Sequence, residues 1–193
     1  MKRYLTAICL VLSAVTPAAA QDWFWGATWG MSITGGDTHD YISEESFRNF
    51  GIEGRKFVSP NTSVGLSLNW SVFNEKTTEA TELPGGAISG TQFRYINAFP
   101  LLVTGHKYFG DQESTQLIVG VGVGAYAVER RTEVGLFAVD WDTWHFGLAP
   151  EVGLLIPMGW RAKGFVNARY HYTSEAEGFD YQWWDFRIGI VTM

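Results

Sequence analysis

Apolar residues alternate with small polar residues along much of this chain. In residues 23 to 33, one parity consists of Trp23, Trp25, Ala27, Trp29, Met31 and Ile33. The segment 63 to 72 repeats the arrangement, with Val64, Leu66, Leu68, Trp70 and Val72 on the apolar parity. Successive side chains of a strand point to opposite faces. These segments therefore predict strands with one aromatic-rich apolar face, as in a barrel whose outer face contacts lipid.

The pattern recurs often enough to predict eight strands. They cover residues 23–33, 47–57, 63–73, 92–108, 115–130, 143–156, 163–173 and 182–192. The connections at 34–46, 74–91, 131–142 and 174–181 are long or polar, whereas those at 58–62, 109–114 and 157–162 are short and rich in turn residues. Long and short connections alternate in barrels that have extracellular loops and periplasmic turns. The predicted fold class is all-β, an eight-stranded antiparallel up-and-down transmembrane β-barrel.

The fourth predicted strand alternates least well. Ile96 and Leu102 fall on its inward parity, and Asn97 falls on its outward parity. Pro100 lies in mid-strand and lacks the N–H that a sheet ladder needs, which predicts a bulge there.

The first 20 residues predict a cleaved signal peptide. Lys2 and Arg3 precede an apolar run, Leu5 to Val15, that is too short to span a membrane. A small-residue cleavage site, Ala18-Ala19-Ala20, follows. Residues 21–193 then form one barrel domain. That domain has no cysteine, which is compatible with an oxidising compartment.

The charge balance disfavours nucleic acid as a partner. The chain has a net charge of −6, and residues 21–193 carry 12 basic and 20 acidic residues, a net charge of −8. Thirteen of the 20 acidic residues lie in the four longer connections: Asp37, Asp40, Glu44, Glu45, Glu75, Glu79, Glu82, Glu133, Asp140, Asp142, Glu175, Glu177 and Asp180. They predict either a solvated rim or an acidic surface for divalent cations or an extracellular partner.

The inward parity predicts a charged lumen. Its charged positions are Glu53, Arg55, Arg94, Arg130, Glu151, Arg169, Asp185 and Arg187. Eight strands enclose a space that side chains can fill, and an unpaired charge in that space would be costly. We expect a polar, side-chain-filled lumen in which Glu53, Glu151, Arg169 and Arg187 pair at mid-barrel height. The alternative is a narrow channel for small solutes, with these charges as its selectivity lining.

Aromatic residues on the outward parity predict contacts at the two membrane–water boundaries. The candidates are Trp23, Trp70, Tyr95, Trp144, Tyr172 and Trp184. Amphipathic rings partition to such boundaries and form girdles around membrane barrels.

Several motifs, taken in order, carry a resemblance to a known family. They are the segments 94–102 (RYINAFPLL), 106–109 (HKYF), 120–126 (GVGVGAY), 144–153 (WHFGLAPEVG) and the final hairpin from residue 168. Across residues 21–193 the chain resembles the bacterial eight-stranded outer-membrane β-barrels, the porin-family or OmpA/OmpX-type barrel domain. The resemblance implies an outer-membrane location, contact with lipid and lipopolysaccharide, and insertion by the barrel assembly machinery. Members of this family usually end in an aromatic residue, whereas this chain ends in Met193.

Catalysis and cofactor binding find little support in the sequence. The one candidate catalytic cluster is His171 with Thr173 and nearby carboxylates, and outer-membrane lipid A deacylases instead use a His-x-Ser pair with a Glu. The four histidines lack metal-ligand spacing, and no phosphate-binding loop is present. We therefore expect no cofactor, no metal and no enzymatic activity.

A soluble lipocalin-like barrel is the other fold to weigh. Its exterior would be polar and would need many charged side chains. Residues 21–193 contain four lysines, Lys56, Lys76, Lys107 and Lys163, which are too few for such an exterior. The sequence favours an outer-membrane barrel with a structural or surface-interaction role through its extracellular loops. A narrow channel, a lipid-modifying enzyme and a lipocalin-like binder are the alternatives.

Overall fold

The computed structural model describes residues 23–78, 81–83, 86–88, 90–135, 137–159 and 162–192. The predicted signal peptide lies outside these residues. The elements, in chain order, are β1 (Trp23–Gly35), α1 (Gly36–Tyr41), β2 (Ser46–Ser59), β3 (Thr62–Thr77), β4 (Thr81–Leu83), β5 (Gly86–Ile88), β6 (Gln92–Phe109), β7 (Gln116–Val134), β8 (Phe137–Pro157), β9 (Ala162–Thr173) and β10 (Gln182–Thr192).

Eight of these strands form a closed antiparallel barrel in the order β1-β2-β3-β6-β7-β8-β9-β10, and β10 pairs with β1 to close it. Each barrel strand therefore lies beside its neighbours in sequence, which is the up-and-down topology that the alternation predicts. All eight predicted strands are confirmed, most with longer ends. We call the end with the connections 36–45, 78–91 and 174–181 the extracellular end and the opposite end the periplasmic end.

The two faces of the barrel wall differ as the period-2 pattern predicts. Trp25, Leu68, Val121 and Leu154 point outward and are 41% to 62% exposed. Glu53 and Glu151, on the opposite parity, are buried in the interior. An apolar surface thus covers the outside of the barrel wall at these positions.

The connection predicted at 131–142 is mostly strand. β7 continues to Val134 and β8 begins at Phe137, so the two form a hairpin that extends past the other strands. The polar residues of this segment suggested a loop, but alternating polar residues are also stable in a strand that projects into water.

Two further elements lie in connections that the sequence left irregular. β4 and β5 pair with each other in a small separate sheet. The short helix α1 begins at Gly36, whose φ of +53° suits glycine. Thr38 is buried, and its hydroxyl accepts a hydrogen bond from the Gln182 amide at 2.9 Å, which holds α1 against β10. Of the helices within the described residues, none is long and apolar enough to cross a membrane.

The bulge predicted at Pro100 is wrong. Leu68 pairs with Leu101 and Ser71 pairs with Ala98, so β3 and β6 keep one register on both sides of Pro100. The missing N–H leaves a gap of two pairs in the ladder, without an inserted residue. Register shifts occur instead between Gly30 and Ser32 and between Phe57 and Ser59.

Candidate functional site

The barrel lumen is filled by three layers of side chains. An apolar layer in the extracellular half consists of Ile42, Phe73, Ile96, Ala98, Leu102, Tyr126, Val128, Ala149, Tyr181 and Trp183. A second apolar layer near the periplasmic end consists of Phe24, Tyr108, Ile118, Leu155, Phe165 and Val191. A charged layer lies between them. The polar lumen that the sequence predicts is therefore accompanied by an apolar layer on each side of the charged layer. Ile96 and Leu102, which depart from the polar pattern in the sequence, belong to the extracellular one.

Glu151 on β8 is the centre of the charged layer. Its carboxylate accepts from Arg169 Nε at 2.7 Å and from Arg187 Nη2 and Arg55 Nη2 at 3.2 Å each. His106 Nε2 contacts Oε1 of the same carboxylate. Asn167 Nδ2 donates to it as well, at 2.9 Å. Five side chains from four other strands thus converge on one acidic group, which joins the strands across the lumen.

Glu53 adds a second carboxylate to the layer. Its Oε1 lies 2.8 Å from Arg55 Nη2, and its Oε2 lies 3.7 Å from Arg169 Nη2. The guanidinium of Arg55 also lies 5.2 Å from the ring centroids of both Phe24 and Phe165. Arg55 therefore connects the charged layer to the apolar layer near the periplasmic end through cation–π contacts.

The remaining predicted lumen charges lie elsewhere. Asp185 accepts from the Ser32 hydroxyl at 2.7 Å and lies 3.0 Å from His171 Nε2, so it forms a separate buried pair. Arg94 donates to the Tyr41 carbonyl at 3.0 Å, at the extracellular mouth. The guanidinium of Arg130 lies 4.4 Å to 5.4 Å from the rings of three aromatic residues there, which are Phe179, Trp141 and Tyr41.

His106 is a member of the charged layer that charge patterning alone does not single out. A Cβ added at Gly120, on the neighbouring strand β7, would lie 2.2 Å from His106 Cδ2. Glycine at this inward position leaves the space that the imidazole occupies. The run of inward glycines on β7 was therefore the signal for a bulky inward partner on β6.

The candidate catalytic pair does not form. His171 hydrogen-bonds the Tyr126 hydroxyl through Nδ1 at 3.0 Å and stacks on Trp183 at a centroid distance of 4.5 Å. The hydroxyl of Thr173 accepts from the Tyr181 amide at 2.8 Å. Both residues are buried and have separate partners. Among the described residues, no group of three or more histidine and acidic side chains is placed to hold a metal ion.

The six predicted interfacial aromatics all lie on outward-facing positions. Trp23 is at the periplasmic end, where it stacks on Trp25 at a centroid distance of 6.0 Å. The other five, Trp70, Tyr95, Trp144, Tyr172 and Trp184, lie in the halves of their strands nearer the extracellular end.

Acidic groups approach one another where α1 meets the last loop. The negative charge of Asp180 raises the pKa of Asp37 above its ordinary value, and Asp40 and Glu175 add smaller effects in the same direction. Burial raises the pKa of Tyr41, whose hydroxyl lies 2.5 Å from that of Thr132. The mouth therefore combines an acidic rim with an aromatic floor.

The projecting part of β8 has an unpaired edge. β9 pairs with β8 from Gly147 onward, and in the part of the chain that the structure describes no strand pairs with that side of residues 137–146. The Ser174 amide donates to the Phe146 carbonyl at 2.7 Å. Backbone N–H and C=O groups point to alternate sides along a strand. The N–H and C=O of Asp142 and Trp144 therefore point to the same edge as those of Phe146.

Three solved structures are similar to this chain. The crystal structure of neisserial surface protein A (NspA) matches with a TM-score of 0.58 at 10% identity, over 91% of this chain and 99% of that chain. The attachment invasion locus protein Ail of Yersinia pestis, in complex with a heparin analogue, matches with a TM-score of 0.49 at 15% identity, over 89% and 99% of the two chains. The N-terminal β-barrel domain of Pseudomonas aeruginosa OprF matches with a TM-score of 0.48 at 10% identity, over 89% of this chain and 97% of that chain.

In the sequence comparisons, no protein-family model and no curated protein matches the chain. The likeness to NspA concerns the fold. This chain has the fold of the eight-stranded outer-membrane β-barrels of the OmpA/OmpX type, as the sequence motifs imply.

Proposed function

We propose that this protein is a non-enzymatic integral outer-membrane barrel with a closed lumen, and that it acts at the cell surface through its extracellular elements. The observation that carries the proposal is the three-layer filling of the lumen. The charged layer around Glu151 lies between two apolar layers, and Arg169, Arg187 and Arg55 are each no more than 1% exposed. A lumen filled in this way is a structural core, which favours a closed barrel over a channel.

The outer face supports a location in lipid. It presents aliphatic residues over most of its height, and interfacial aromatics near both ends are suited to the membrane–water boundaries. In an outer membrane, this band would contact phospholipid in one leaflet and lipopolysaccharide in the other. Insertion would depend on the barrel assembly machinery.

The separate contacts of His171 and Thr173 support a role without catalysis. A nucleophile requires a base within hydrogen-bond reach and access to substrate. Thr173 is fully buried and uses its oxygen as an acceptor for a backbone amide. Its role is to hold the last loop against β9.

The unpaired edge of β8 supports a surface-interaction role. An exposed strand edge can bind an extended segment by adding it as a further strand. The side chains beside this edge include Asp140 and Asp142, and Phe137 and Trp144 are strongly exposed. We infer that the extracellular partner is an extended, basic and apolar segment.

Membrane fractionation tests the location. The protein should sediment with outer membranes, and the folded barrel should migrate differently from the boiled protein in gel electrophoresis. Recovery in the soluble periplasmic fraction, with one mobility before and after boiling, would refute the proposal.

Two substitutions of Asp142 distinguish the contribution of the backbone edge to binding from that of the carboxylate charge. Both Asp142→Pro and Asp142→Ala remove the carboxylate, but only proline removes the edge N–H. A fluorescein-labelled peptide of alternating lysine and valine should bind the wild type and Asp142→Ala, and should bind Asp142→Pro much more weakly. Equal binding by the two variants would show that the edge is not the interaction surface.

A further inference from the structure

An apolar groove runs along the outside of the barrel in its periplasmic half. It lies over β2, β3 and β6 and has a volume of about 400 Å³. Trp25 forms one side, and Leu66 and Val103 form the other. Trp25 and Leu66 both pair with Gly54, and Leu66 also pairs with Val103, so the three side chains belong to adjacent positions of one face.

Gly54 shapes this groove. A Cβ on Gly54 would lie 2.7 Å from Cζ3 of Trp25, so the indole lies flat over β2 where no side chain opposes it. Trp23 stacks on Trp25 with an interplanar angle of 14°. The two stacked rings form a rigid apolar wall of the shape that an extended hydrocarbon chain can follow.

A cation lies at the periplasmic end of the groove. Lys56 pairs with Trp23 on one side and with Val64 on the other, and it lines the groove. Among the described residues, Lys56 Nζ has no hydrogen-bond or ion-pair partner. Lys107, the other outward lysine at this end, is already bound by Asn61 Oδ1 at 2.8 Å. Lys56 is therefore the lysine that is free to bind an external anion.

A second external groove provides a comparison. It lies over β7 to β10, has a volume of about 470 Å³ and is lined on its outer side by apolar residues such as Leu117, Leu154 and Phe186. Its polar lining residues, Asn167 and Arg187, belong to the lumen, where each has partners. An outward charge thus distinguishes the first groove from a merely lipid-exposed surface.

We propose that the groove over β2, β3 and β6 is a binding site for one anionic phospholipid of the periplasmic leaflet. An acyl chain lies between the Trp25 indole and Leu66, and the phosphate and anionic headgroup bind Lys56. A lysine at a membrane surface attracts anionic lipid, and its aliphatic stem can extend from apolar surface to the headgroups. The inference rests on the proposed membrane location and adds a specific lipid ligand to it.

Native mass spectrometry of the refolded full barrel tests the headgroup contact. The protein is folded in vesicles of equal parts phosphatidylglycerol and phosphatidylcholine with identical acyl chains, then released in mild detergent. The wild type should retain phosphatidylglycerol about fivefold over phosphatidylcholine, the preference expected for one lysine at the membrane surface. Lys56→Gln should remove the preference, and the matched variant Lys107→Gln should keep it.

A second pair of variants tests the chain contact. Leu66→Trp fills the proposed groove and should lower the total retained lipid, whereas Leu154→Trp fills the comparison groove and should leave it unchanged. Both exposed leucines are replaced by another apolar residue, so folding should be preserved.

The outcomes separate this inference from the proposed function. Equal retention of both lipids by a folded wild-type barrel would overturn the lipid site and leave the membrane location intact. An equal loss of preference in Lys56→Gln and Lys107→Gln would reduce the effect to general surface charge and also overturn the site. A chain that does not fold in vesicles at all, as shown by unchanged gel mobility on boiling, would contradict both.

Discussion

At the scale of single residues, Glu151 is the acidic group on which the lumen depends most. It contacts three arginines and His106, whereas Glu53 contacts two arginines. Replacing Glu151 by glutamine should leave guanidinium groups buried without sufficient counter-charge. We expect Glu151→Gln to lower the free energy of unfolding by about 3–5 kcal/mol, measured by urea unfolding from vesicles.

The double variant with Arg169→Gln should cost less than the sum of the two single changes, because the pair interacts directly. Glu129→Gln, at an exposed outward position, is the control for a change in net charge and should have little effect. Strict additivity of Glu151→Gln and Arg169→Gln would contradict the coupled layer.

On the outer face, we expect the cost of a charged substitution to depend on its depth in the bilayer. Leu68 lies in mid-strand and points outward. Leu68→Arg should destabilise the barrel by roughly 2–4 kcal/mol in a bilayer. Val58→Arg, near the periplasmic end of β2, should cost roughly 0–1 kcal/mol, because arginine there reaches the headgroups. Urea titration in vesicles measures both, and equal costs would show that the depth assignment is wrong.

At the scale of elements, the sequence predicts strands better than connections. A strand with one lipid-facing side carries a period-2 signal over ten or more residues, and this signal located all eight strands, although it is weak in the fourth. The helix α1 has six residues, too few for a periodic signal. Its position depends on the buried hydroxyl of Thr38 and on Gln182, which is 144 residues away in the chain. Local pattern cannot reveal such a contact.

The docking of α1 should depend on pH. The negative charge of Asp180 raises the pKa of Asp37 in the folded state, which means that the two ionised carboxylates repel each other and oppose docking. As the pH falls through this raised pKa, Asp37 is protonated and the repulsion is relieved. Asp37→Asn should therefore slow hydrogen exchange of the Ile42 amide, which donates to the Thr38 carbonyl, at neutral pH.

The difference between Asp37→Asn and the wild type should disappear in acid, once Asp37 is protonated. Glu44→Gln is the control, because it removes one negative charge from the same connection and Glu44 is not among the groups that raise the pKa of Asp37. It should leave the exchange rate of the Ile42 amide unchanged. Faster exchange in Asp37→Asn at neutral pH would contradict the electrostatic explanation.

At the scale of the whole molecule, alternation determines that the apolar face is outside, and strand number determines that the lumen is narrow enough to fill. Sequence parity therefore placed Glu53, Glu151, Arg169 and Arg187 on the inward face. It could not predict that Arg94 and Arg130 contact aromatic residues at the mouth, because the position of Tyr41 is set by α1. It also missed the two apolar layers, because members of one layer, such as Phe73 and Trp183, come from strands far apart in sequence.

Planar-bilayer conductance of the wild-type barrel tests the closed lumen most directly. Insertion is first verified by the change in gel mobility on boiling. The charged layer and the two apolar layers predict no steady conductance steps from inserted protein, at either polarity. Regular open-channel steps from the inserted wild type would contradict the closed lumen and support a narrow channel for small solutes.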